Sequence, residues 1–199
     1  TLLELMAATS ALLVMLGVLY GAAITMVQTA RMEDSTVMLN SEARMAMEIV
    51  TRNLRQSQLT GLTTTAGGAP AALGNNPVTN IGFSRVADAD GNGNALDAAM
   101  ALETDGPFRL VVDTNDANGD GLTTTQLVRM DAANTVIEVL ANHVSPIVAT
   151  GDFYDTPQGG SVFQNIGGSI QVTLILRHRA DVNRPMMVVR LDEVVTPRN

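Results

Sequence analysis

Between Leu5 and Ala30 no residue carries a charge, and the apolar run stops at Arg31. A stretch of about 25 such residues spans a bilayer as a helix, since each adds ~1.5 Å against a hydrocarbon core of ~30 Å. The only charge among the first thirty residues is Glu4. A carboxylate at membrane depth costs roughly 2.5–3.5 kcal/mol, less near an interface. Glu4 therefore calls for a use that repays its cost. An ordinary secretory signal or signal anchor opens on a basic segment. No Lys or Arg precedes the apolar run of this chain.

The order Thr1-Leu2-Leu3-Glu4-Leu5-Met6 resembles the start of a mature type IV pilin or pseudopilin. The resemblance implies a subunit of a type IV pilus-like filament or a type II secretion pseudopilus. Its partners would be copies of itself or other pilins, and its N-terminal helix would drive assembly. It would sit in the bacterial inner membrane first and in an extracellular or periplasmic filament afterwards. It also implies an assembly role for Glu4, whose carboxylate would pair with the N-terminal amine of a neighbouring subunit, the position held here by Thr1. A basic leader ending in Gly would be removed by the prepilin peptidase, and the new amine methylated. The family glutamate is fifth in the mature chain and is fourth here, so either processing starts this chain one residue late or, the favoured reading, a Phe or Met is expected ahead of Thr1. The competing class is a single-span anchored, calcium-dependent adhesin or binding domain that never polymerises.

Composition narrows the rest. The 199 residues leave room for one globular domain once the apolar helix is set aside. A formal net charge of −8 argues against a nucleic-acid footprint. There is no Cys, so neither a disulfide framework nor a thiolate metal site is available. Trp is absent and Phe and Tyr are few, which leaves scarce stacking surface for bases or sugars.

The helix is expected to continue past Arg31. Residues 31–58 contain neither Pro nor Gly, and Leu39, Ala43, Ala46, Val50 and Leu54 recur at three- and four-residue steps. Arg44, Glu48, Arg52 and Arg55 lie off that stripe, and Glu48 to Arg52 is the favourable i,i+4 order. One helix of about 55–58 residues, roughly 85 Å long, follows. Its first half, residues 1–30, would be bare and its second half packed on a domain of residues 31–199. Any interruption belongs near Gly17 and Gly21, each of which weakens a helix by roughly 1 kcal/mol relative to Ala.

Residues 59–77 read as a loop, rich in Thr, Gly, Asn and Pro. From 78 to 199 the period becomes that of strands: Val78–Val86, Phe108–Val112, Thr124–Met130, Thr135–Ala141, Ile170–Arg177 and Met186–Val195. Asp131 to Asn134 forms a hairpin-like turn. One long helix followed by strands with turn-rich links predicts α+β, an antiparallel sheet packed on the C-terminal half of the helix. That is the pilin fold the N-terminus implies. The late strand Ile170–Arg177 and the tail Pro197-Arg198-Asn199 are similar to the endings of larger, minor-pilin-like members.

Two segments offer oxygen ligands at alternate positions with Gly between, the way a short loop wraps Ca2+. In the first, Asp88, Asp90, Asn92 and Gly93 fit positions 1, 3, 5 and 6 of the EF-hand pattern, with Asp97 further on. In the second, Asp116, Asn118, Asp120 and Gly121 fit the same positions, with Asp113 just before. Ala99 and Leu127 stand where each loop would need its bidentate Glu. Each site therefore needs a ligand from elsewhere, and the alternative is a plain Asp/Asn/Gly turn. The second loop is the better candidate. The resemblance adds that some pseudopilins stabilise the corresponding region with calcium.

Enzymatic constellations are thin. His143 and His178 are the only histidines and read as surface or strand residues. No nucleophile elbow or phosphate loop is present. The sequence points to assembly rather than catalysis.

Overall fold

A computed structural model of the chain describes residues 1–66, 69–88, 90–97, 99–113, 125–145, 162–178 and 187–198. Helix α1 (Leu2–Arg55) is a single 54-residue element, about 80 Å long. It runs through Gly17 and Gly21 without a break. The predicted stripe is its buried face: Leu39, Ala43, Ala46, Val50 and Leu54 are each at most 4% exposed, and Met47 joins them. Every residue from Thr1 to Arg31 is exposed.

Neither Gly nor Pro ends the helix. The buried Ser57 turns the chain instead, its Oγ and N–H both donating to the Leu54 carbonyl, at 2.7 and 3.2 Å. Ser57 then bridges to Arg85, and Gln58 to Arg198. The tail is thus tied to the point where the helix stops.

A 3-10 turn (Leu59–Gly61) leads into β1 (Thr63–Ala66) and β2 (Ala69–Ala72). Next come β3 (Asn80–Val86), β4 (Thr104–Asp113), β5 (Gln126–Met130) and β6 (Val136–Ala141). The series ends with β7 (Val162–Ile166), β8 (Ser169–His178) and β9 (Met187–Val195). The first six form a sheet in the order β2-β1-β3-β4-β5-β6, the last three a sheet in the order β7-β8-β9, and every pairing is antiparallel. The two sheets are stitched together at Val78–Phe163 and at Val144–Leu176. The fold is α+β, as expected.

Two departures from the sequence reading have physical causes. Part of the stretch 59–77, expected as loop, is the β1–β2 hairpin. Its Thr residues favour extended backbone, and Thr64 Oγ1 reaches Asn80 Oδ1 on β3 at 3.2 Å. Pro70 is tolerated because β2 is an edge strand. The short strand β7 had no predicted counterpart. Its pairing with β8 and the bridge from Val78 supply what its five residues lack alone.

The core lies between α1 and the strands. Ile81, Phe83, Leu110, Ile170, Leu174, Leu176 and Val195 are buried with the helix stripe. Gly82 allows β1 to approach β3: a Cβ there would sit 2.5 Å from Thr63 Oγ1. The turn at Asp131 forms as read, with its carboxylate accepting from the Ala133 and Thr135 amides at 2.9 and 2.8 Å.

Candidate cation-binding loop and the bare helix

The chain between β3 and β4 carries the first acidic segment. Its shape follows from one backbone position. Glu103 accepts from Ala87 N–H at 3.1 Å and donates to the Ala95 carbonyl at 3.0 Å, which cinches the Asp/Asn/Gly loop at both ends. Beyond Ala95 the chain makes a second small excursion, closed by Asp97 N–H on the Ala101 carbonyl at 2.9 Å and by a bridge between Leu96 and Leu102.

Inside the cinched loop Asp88 is the organising residue. Its Oδ1 accepts from Gly91 and Asn92 N–H at 2.8 and 3.0 Å, and its Oδ2 from Gly93 N–H at 2.7 Å. Those bonds require the chain to curl, and Gly91 and Gly93 do so at φ +76° and +85°, where a side chain is strained. The Gly93 amide above all, with the Gly91 and Asn92 amides, holds the Asp88 carboxyl below the ordinary aspartate range. They outweigh the desolvation that works against them. Asp88 is therefore a settled anion.

Asp90 donates its backbone N–H to Glu103 Oε2 at 3.2 Å. One carboxylate oxygen from each of Asp88, Asp90 and Glu103 lies within 4.8 Å of the others. An ionised carboxylate has about four lone-pair sites, so the amide bonds leave acceptor capacity for an ion. Three carboxylates and no nitrogen or sulfur form a hard donor set, suited to a hard divalent cation. The group can hold a metal ion.

The other expected ligands are placed as follows. Asn92 is occupied within the loop, its Nδ2 donating to Asp90 Oδ2 at 2.8 Å and its Oδ1 accepting from Asn94 N–H at 2.7 Å. Asp97 caps its own turn, accepting from Ala99 and Ala101 N–H, both at 2.8 Å. Asp113 ends β4 opposite Gln126. Asp116, Asn118 and Asp120 lie outside the described residues. Glu103 was missed because it is further along the chain than the EF-hand position held by Ala99. One signal was present: it is the only Glu between Glu48 and Glu138.

At the other end of the molecule, Glu4 sits at the third position of α1. Its Oε2 accepts from the Thr1 amine of the same chain at 2.5 Å, and both side chains are about four-fifths exposed. The helix behind it is long and apolar enough to cross a membrane, and none of its most apolar stretch is buried.

No family model, no curated protein and no solved structure matches this chain.

Proposed function

We propose that this protein is a pilin-like filament subunit of the type IV pilus or type II secretion superfamily, working by assembly rather than catalysis. The observation that carries the reading is the division of one continuous helix. Residues 5–30 are bare and uncharged, and the stripe from Leu39 to Leu54 is sealed against the sheets. Soluble monomers seldom expose an apolar patch larger than a few hundred Å². The bare half therefore needs lipid or protein around it. A helix that keeps its length and direction can exchange one for the other, leaving the inner membrane to pack among identical helices.

Glu4 supplies order in that exchange. Unpaired, it is costly in lipid; paired with the N-terminal amine of a neighbour in a water-poor filament core, its charge is neutralised at a defined axial stagger. The sheets would coat the outside, and Ca2+ at Asp88, Asp90 and Glu103 would fix the β3–β4 loop of a domain that has no disulfide.

The test is Glu4→Ala in the producing bacterium. The variant is expected to enter the membrane normally, since losing a charge favours the bilayer, and to be absent or strongly depleted from sheared or secreted filaments. Normal incorporation would remove the assembly role of Glu4. Complete absence of this chain from any filament, with normal membrane insertion of the wild type, would favour the non-polymerising anchored adhesin.

A further inference from the structure

The domain exposes apolar side chains at both ends of the packed half of α1. At one end Val37, Met38 and Met45 stand off the buried stripe, each about two-thirds exposed. Helical spacing puts them in one strip, with Ser41 between them. At the other end the β3–β4 connection leaves the body beside the last turn of the helix. There Val86 N–H donates to the Gln56 carbonyl at 3.1 Å, and Ser57 bridges Arg85. The second excursion of that connection is a finger. Its tip is Met100, 81% exposed, and its sides are the bridged Leu96 and Leu102, each 41% exposed. Local bonds hold the shape: the Asp97 carboxylate accepts from the Ala99 and Ala101 amides, and its carbonyl accepts from Met100 N–H at 3.0 Å. Met100 sits at φ +65°, a left-handed conformation that glycine adopts freely and a side chain does not. Gly or Asn would serve the turn better, so a strained and exposed Met has its use outside its own domain.

Resting on the filament reading, we infer that this finger docks on the strip of Val37, Met38 and Met45 of a second copy, a head-to-tail contact made only after a subunit has left the membrane. The bilayer that anchors the chain is out of the finger's reach, because Gln56 stands about 40 Å beyond Ala30 along the helix. Charge is complementary. Every charge from Asp88 to Asp105 is acidic. The exposed charges from Val37 to Arg52 are Arg44, Glu48 and Arg52, two positive against one negative in a chain of net −8. Met supplies three of the six apolar side chains, and its unbranched chain fits irregular surfaces. The two patches differ and lie at opposite ends, so the contact is heterologous and can repeat along an axis, as a filament requires. The root of the finger at Gln56 is roughly 20 Å along the helix from Ser41. Copies anchored in one bilayer share a single depth and do not bring finger and strip together. A copy raised past its neighbour does.

The chain has no Cys, so an introduced pair reports the contact without background. The full-length Met100→Cys, Met45→Cys double variant is expressed in the producing bacterium and treated with a short bis-maleimide cross-linker. Sheared filaments are then compared with the membrane pool. Ladders longer than a dimer are expected in filaments and absent from the membrane pool, with no ladder from either single-Cys variant. Dimers alone, no cross-link, or equal ladders in the membrane pool would overturn the contact, while the presence of the chain in filaments upholds the filament reading. Absence of the wild-type chain from any filament would fail that reading and take the contact with it. Met100→Gly and Met100→Leu give a second test that needs no cross-link. Gly suits the backbone, so the thermal midpoint of the chain should hold or rise, yet the yield of sheared filaments should fall several-fold. Met100→Leu keeps an apolar tip and should keep the yield. An unchanged yield with Met100→Gly overturns the docking role.

Discussion

The Glu103 carboxylate accepts a hydrogen bond from the backbone N–H of Asp90, thirteen residues earlier, at 3.2 Å. A third acidic group is thereby delivered to a loop that carries only two of its own. Like charges gathered in this way repel, and the loop amides around Asp88 hold its charge in place rather than remove it. A divalent cation bound there would relieve the repulsion and cross-link the two ends of the β3–β4 connection.

Calcium should therefore raise the thermal midpoint of the full chain in detergent, by about 5–10 °C at a hundredfold excess over the dissociation constant. Chelator should reverse the rise, and Glu103→Gln combined with Asp88→Asn should remove it. A rise that survives this pair but disappears in Asp116→Ala with Asp120→Ala would assign the cation to the other acidic segment. An unchanged midpoint in the wild type would make both segments ordinary turns.

The two halves of α1 should respond oppositely to truncation. Leu54 is fully buried, and Leu54→Ala should cost about 2–5 kcal/mol through lost burial and a residual cavity. Leu13 is two-thirds exposed, and Leu13→Ala should leave domain stability in detergent within about 0.5 kcal/mol of wild type. Urea unfolding followed by circular dichroism measures both. Equal costs would contradict the division of the helix.

Gly82→Ala should destabilise the domain by about 1–3 kcal/mol, because the new methyl overlaps Thr63 Oγ1 where β1 crosses to β3. Thr63→Ala removes that oxygen, so the double variant should recover much of the loss. The coupling read from the double-mutant cycle is the check. Additive costs would place the strain elsewhere.

Asp192 gives the domain an acid-side dependence. Bonds from Arg190, Nε to Oδ2 at 2.7 Å and Nη2 to Oδ1 at 3.0 Å, lower its carboxyl below the ordinary value, and Thr173 Oγ1 adds a bond at 2.7 Å. A carboxyl whose folded value is lowered stabilises the protein above the unfolded value of about 3.9. That contribution is lost as pH falls through the folded value. The stability gap between wild type and Asp192→Asn should thus be constant near neutrality and close in acid. The pair is near the surface, so the gap should be modest and shrink in high salt. A gap that widens on acidification would reverse the sign.

Much of the architecture was legible because it rests on local patterns. The uncharged run from Leu5 to Ala30 and the stripe from Leu39 to Leu54 lie on one unbroken helix, since periodicity and the lack of Pro act within a few turns. The strands with strong alternation, Ile170–Arg177 foremost, were found for the same reason. The hairpin of β1 and β2 was not, because its Thr, Ala and Pro residues show no apolar–polar alternation, and the short β7 was not, because five residues are too few for a period to show.

The sites divide in the same way. Asp88 and Asp90 could be named from spacing, since a loop ligand at alternate positions is a local property. Glu103 could not, because the excursion from Leu96 to Leu102 has to close on itself before that carboxylate reaches Asp90. His143 and His178 read singly as surface or strand residues. Only the bridge of Val144 to Leu176 sets their rings against each other and beside Glu42. What depends on near neighbours along the chain was set by sequence alone. What depends on residues far apart was decided by strand pairing, because a sheet brings distant backbone into register and the side chains follow.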